Sequence, residues 1–166
     1  FGVAVLNNGR YGHSVQEGGI RVSLLRAAKY PDPVQDHGQH SVTISVLPHG
    51  PGLHDVLREA EALNAPLRPV EAGNSAAAPV PVVSVEHPGV QVSAVKRADD
   101  GSGDLIVRLY EACGARTQVA VRTPQRVVEA SCCNLLEEPE LSLDIADGFV
   151  NLTFRPFQLA TLRLRT

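Results

Sequence analysis

The 166 residues are 43% apolar, enough for a real core, and their formal net charge is -3. That balance excludes a surface built for nucleic acid or an anionic membrane, since both call for a basic field. No run of about 18 apolar residues is present to span a bilayer, and no basic-then-apolar leader opens the chain. It starts at Phe1, contains no Met, and reads as a piece of a longer polypeptide.

In chain order, "GVAVLN" (Gly2–Asn7) and "IRVSLL" (Ile20–Leu25) read as short apolar strands. "SVTISVL" (Ser41–Leu47) alternates, with Val42, Ile44 and Val46 on one face and Ser41, Thr43 and Ser45 on the other. "LHDVLREAEALN" (Leu53–Asn64) is the one helix. Leu53, Val56, Leu57, Ala60 and Leu63 form its stripe, and Pro66 stops it. "RPVEAGNSAAAPVP" (Arg68–Pro81) has no period and reads as a link between two β units. Strand patterns then crowd together: "VPVVSVE", "VQVSAVKR", "DLIVRLY", "TQVAVR", "RVVEAS", "LSLDI", "FVNLTF" and "QLATLRL". Turn chemistry such as Asp99-Asp100-Gly101 and Asp147-Gly148 separates them. The expected fold is all-β: antiparallel β-sandwich units with one short helix. Residues 1–81 read as a piece of a larger sheet system, and residues 82–166 as a small Ig-like sandwich.

Cys113, Cys132 and Cys133 are an odd count with an adjacent pair. They make a poor disulfide framework and point to a reducing, cytoplasmic compartment. Cys132 and Cys133 fall on opposite faces of a strand.

The chemistry concentrates in one loop. The stretch from Leu24 to His49 carries Arg26, Tyr30, Asp32, Asp36, His37, His40 and His49. "DHGQH" (Asp36–His40) offers imidazole and carboxylate, but a metal site needs three or four ligands and no second cluster stands by. "DDGSGD" (Asp99–Asp104) reads as a hairpin turn, and "LLEEPE" (Leu135–Glu140) as a solvated turn. "NLT" (Asn151–Thr153) matches the glycosylation pattern by chance, within a strand. There is no glycine-rich phosphate loop and no nucleophile elbow. The residues give no catalytic set and no metal site.

The colinear run "VLNNGRYGHSV" (Val5–Val15), "IRVSLLRAAKYPDP" (Ile20–Pro33), "DHGQH" and "LPH" (Leu47–His49) resembles the C-terminal region of family 38 α-mannosidases. So do "VKRADDGSGDLIVRLYEACGAR" (Val95–Arg116), "NLLEEPE" (Asn134–Glu140) and "FRPFQLATLRL" (Phe154–Leu164). The resemblance is closest to the branch with vacuolar, cytosolic and many bacterial enzymes, and the Ala, Val and Arg bias suggests a bacterium.

The resemblance implies a retaining hydrolase of terminal α-linked mannose, acting in mannose metabolism through a covalent mannosyl-enzyme. In that family the zinc ion, its ligands and the nucleophile belong to an N-terminal barrel. This chain is then a non-catalytic C-terminal part, with no cofactor of its own, inactive alone, and partnered by the catalytic barrel of the same polypeptide. Its loop over residues 25–40 is expected to face the active site and meet a mannose-containing oligosaccharide. Arg26, Tyr30, Asp32 and Asp36 are the candidate substrate-binding residues. His37, Val42, Ile44, Cys113 and Ala115 depart from the family's usual residues. The alternative is a free-standing carbohydrate-binding or interaction sandwich. Aromatics at 4%, with no Trp, count against a sugar-stacking module.

Overall fold

The computed structural model describes residues 1–71 and 80–166. The chain divides into two compact units, Phe1–Glu71 and Ala72–Thr166. Most of the link expected over residues 68–81 lies outside the described residues.

In the first unit, β1 (Gly2–Asn7) pairs antiparallel with β4 (Ile44–His49), and β2 (His13–Gln16) pairs with β3 (Gly19–Val22). Helix α1 (His54–Asn64) packs on β1 and β4. The expected stripe is the packed one: Val56, Leu57, Ala60 and Leu63 are half-buried, while Leu53 is exposed just before the helix. Leu6 is buried. Its pairing alternates with Val3, Val46 and Ile44, which stay 49%, 64% and 46% exposed. One side of the ribbon is therefore apolar and uncovered. A two-stranded ribbon with one helix is marginal by itself, because it buries little.

Three boundaries differ from the sequence reading. The strand expected over Ile20–Leu25 ends at Val22, and Ser23 instead donates its N–H to the Gly12 carbonyl at 2.8 Å. The strand expected from Ser41 starts at Ile44, because the side chain of Asn8 caps the Thr43 N–H at 2.9 Å and breaks the pairing there. It then runs on to His49 through Pro48, which a two-stranded ribbon tolerates on an open edge. Strand β2 was not expected at all, since "HSVQ" is short and mostly polar.

The second unit is a sandwich of two antiparallel sheets. One has the order β10-β9-β13-β7-β6, the other β11-β12-β8-β5. Their ranges are β5 (Ser84–Val85), β6 (Val90–Arg97), β7 (Leu105–Glu111), β8 (Thr117–Arg122) and β9 (Glu129–Cys133). The rest are β10 (Pro139–Ser142), β11 (Ile145–Ala146), β12 (Phe149–Phe154) and β13 (Leu159–Arg165). Alternate residues of each sheet turn inward. Val107 and Leu109 of β7, Leu162 and Leu164 of β13, Val119 and Val121 of β8, and Val150 and Phe154 of β12 form the shared core. "VPVVSVE" yields only the two-residue β5, consistent with Pro81 having no N–H to give a ladder.

Glu137 corrects the solvated-turn reading of "LLEEPE". It is buried, accepts the Asp99 N–H at 2.9 Å and pairs with Lys96. Beside it, Arg163 bridges Asp100 and Asp104, tying the β6–β7 hairpin to β13. Asp99–Asp104 is a hairpin turn, as expected.

Candidate functional site

The candidate site forms within the first unit, where two loops meet. The first, between β1 and β2, is shaped by Asn7. Its Oδ1 accepts the N–H groups of Gly9 and Arg10, and its Nδ2 meets His13 Nε2 at 3.1 Å. Gly9 takes φ +104, a conformation closed to most side chains. Gly12 allows a close approach: a Cβ there would stand 2.9 Å from Ser23 Cβ.

The second loop follows β3 and bends back through Asp36. Asp36 Oδ2 accepts the Ala27 N–H at 3.2 Å, and both residues have positive φ. His40 Nε2 meets the Asp36 carbonyl at 2.9 Å and so donates to it. Asp32 Oδ1 accepts the Val34 N–H at 3.0 Å, and a turn over residues 33–36 follows. The Tyr30-Pro31 bond is cis.

Between the loops lies an open hollow of about 730 Å³ lined by Arg10, Tyr11, Ser23, Arg26, Gln35 and Asp36 together with glycine, alanine and leucine positions. Of the four residues expected to meet substrate, Arg26 and Asp36 line it, whereas Tyr30 and Asp32 do not. Tyr30 is 88% exposed, and Asp32 serves its own turn. Arg26 makes no ion pair among the described residues, and Asp36 Oδ1 has no hydrogen-bond partner among them. A cation with five N–H donors and a carboxylate oxygen open to a donor suit a polyhydroxylated ligand. Arg10 and Tyr11 escaped the sequence reading. "NNGRYG" advertises a turn, but no periodicity says which other loop it will face.

No group of three or more His, Cys, Asp and Glu side chains stands ready to hold a metal ion among the described residues. His37 and His40 are both exposed.

In the second unit, the family-like "EACGAR" segment builds a different feature. Glu111 is 1% exposed, yet its carboxylate accepts the N–H groups of Cys113 at 2.9 Å, Gly114 at 2.8 Å and Phe157 at 3.0 Å. Burial pushes its pKa up, but these bonds and one from the Ala115 N–H outweigh burial and hold it below the usual carboxylate range.

Residues 1–34 match the model of the glycosyl hydrolases family 38 C-terminal domain, and residues 89–162 that of the family 38 C-terminal β-sandwich domain. The chain carries the C-terminal region of glycosyl hydrolase family 38. The second family 38 match spans most of the two-sheet unit, and the first ends inside the loop that bears Arg26. Alpha-mannosidase 2C1 of Homo sapiens is 38% identical over 171 residues, covering 99% of this chain and 16% of the human protein. Alpha-mannosidase G of Dictyostelium discoideum is 31% identical, covering 98% and 16%. An alpha-mannosidase of Saccharomyces cerevisiae is 26% identical, covering 98% and 17%. The chain thus spans about a sixth of the length of these family 38 relatives.

Proposed function

We propose that this chain is the non-catalytic C-terminal part of a zinc-dependent retaining α-mannosidase that hydrolyses terminal α-linked mannose. The observation that carries the reading is colinear similarity over 99% of the chain to a protein named an alpha-mannosidase. The described residues hold no ligand set for zinc. On this reading, as the family resemblance implies, the metal and the bond-breaking groups belong to the catalytic barrel of the same polypeptide. What these residues supply is orientation. Arg26 donates to sugar hydroxyls, and Asp36 Oδ1 accepts from one, while Asp36 Oδ2 stays bound to Ala27 and keeps the loop in place. Such contacts raise the rate only where they are stronger in the distorted transition state than in bound substrate.

The uncovered side of the β1–β4 ribbon, with Val3, Ile44 and Val46, gives the rest of the polypeptide an apolar surface to pack on. A bacterial source, suggested by the Ala, Val and Arg bias, and a cytoplasmic setting, suggested by an odd cysteine count with an adjacent pair, belong to the same proposal. The deciding experiment is expression of the polypeptide that carries this chain, alongside the 166-residue chain alone. The longer protein should release 4-nitrophenol from 4-nitrophenyl α-mannoside and lose that activity to a chelator. The chain alone should not. No turnover from the longer protein would point to the alternative, a binding or interaction sandwich.

A further inference from the structure

Tyr11 is 91% exposed, yet hydrogen bonds hold the backbone at and beside it. Its carbonyl meets His13 Nδ1 at 3.1 Å, and the next residue, Gly12, accepts the Ser23 N–H at 2.8 Å. Four residues before Tyr11, Asn7 Oδ1 gathers the Gly9 and Arg10 N–H groups, and the Asn7 carbonyl accepts from Asn64 of α1 at 3.1 Å. The hydroxyl of Tyr11 has no protein partner among the described residues. A large ring left in water on a pinned backbone is not core material, because it buries almost nothing of its own. It lines the same hollow as Arg26 and Asp36.

We infer that Tyr11 is a substrate-contact residue, its ring forming an apolar platform for a pyranose ring of an α-mannoside while Arg26 and Asp36 engage that sugar's hydroxyls. This rests on the reading that the hollow receives sugar. A pyranose has an apolar C–H face and a rim of hydroxyls, so a site that recognises it needs one aromatic face and polar groups set around it. This hollow holds both. Phe1, Tyr30 and Phe157 are exposed as well, but Tyr11 is the aromatic residue that lines this hollow. A platform contacts the ground state and the transition state alike, so its loss should appear in KM more than in kcat.

The test is steady-state kinetics of the full-length enzyme on 4-nitrophenyl α-mannoside, with melting temperature measured on the same samples. Tyr11→Ala should raise KM about five- to tenfold with kcat and melting temperature kept, and Tyr11→Phe should stay near the parent. Unchanged KM in Tyr11→Ala, with Arg26→Ala or Asp36→Ala impaired, would overturn the platform and leave the sugar-site reading standing. Unchanged kinetics in all three would overturn both. Equal KM losses in Tyr11→Phe and Tyr11→Ala would also overturn it, since the hydroxyl rather than the ring would then be at work. So would a lowered melting temperature with KM kept, which marks a structural role.

Discussion

The carboxylate of Glu111 accepts the backbone N–H of Phe157 at 3.0 Å, joining the turn after β7 to the turn before β13 across 46 residues. The same carboxylate holds the N–H groups of residues 113–115, so one buried charge organises two turns at one end of the sandwich. Removing it would leave several part-buried N–H donors without their acceptor at once. Glu111→Ala should therefore lower the unfolding midpoint more than Glu111→Gln, which keeps an acceptor oxygen. Equal midpoints for both variants and parent in urea would contradict this.

Three carboxylates are depressed: Asp100, half-exposed and held down by its bonds to Ser102 and Arg163, and the two buried ones, Glu111 and Glu137, on which the pH dependence chiefly rests. Burial works against Glu111 but its backbone bonds hold its pKa below the usual value, and the Lys96 hydrogen bond followed by the Asp99 N–H does the same for Glu137. A folded pKa below the unfolded one gives stability that is fully present above about pH 4.3 and is lost as pH falls through the folded value. The sandwich should thus weaken steadily below about pH 4.3, and Glu111→Gln should flatten that slope. Urea midpoints at a series of pH values down to about pH 3 check this; an unaltered slope in Glu111→Gln would count against it.

Gly114 lies under the ring of Phe157. A Cβ there would stand 2.7 Å from the ring's Cζ, and the backbone has φ +75. Gly114→Ala should destabilise by roughly 1–2 kcal/mol from the backbone alone, with more from the clash. Adding Phe157→Ala should recover the clash and not the backbone cost. A double-mutant cycle by urea unfolding separates the two; full recovery would show that the φ penalty is absent.

The thiols should react slowly in the folded protein. Burial pushes the pKa of Cys113, Cys132 and Cys133 up, which lowers the thiolate fraction that alkylators attack. Cys133 is 7% exposed and should be slowest. Mass spectrometry after denaturing, non-reducing alkylation should count three labels, matching the three cysteines of the chain. Two missing labels would reveal a disulfide and undo the reducing-compartment reading.

Much of this architecture was legible in the sequence because period-two alternation with buried partners leaves a plain trace. Val90–Arg97, Thr117–Arg122 and Phe149–Phe154 fall where that pattern puts them. The helix stripe was legible for the same reason. Glu137 was not, because its acidic, proline-flanked neighbourhood looks solvated, and only the fold brings Lys96 and the Asp99 N–H to it. The hollow was half legible. Arg26 and Asp36 stand out by charge, but Tyr11 enters through the Asn7 cage and the Gly12–Ser23 approach, which are tertiary facts. Asp32, also expected to meet substrate, accepts the Val34 N–H of its own turn and does not line the hollow, a use of Asp that sequence alone does not tell from a contact residue.

The most direct measurement is steady-state kinetics, zinc content and melting temperature of Arg26→Ala and Asp36→Ala in the full-length enzyme. Losing a charge-assisted hydrogen bond costs roughly 1.5–3 kcal/mol, so kcat/KM should fall about ten- to hundredfold, with part of the loss in kcat. Zinc content should not change, and melting temperature should hold in Arg26→Ala, whose side chain is exposed and outside any ion pair among the described residues. Intact kinetics in both variants, with a lowered melting temperature, would contradict the account and leave this loop as an interface between domains.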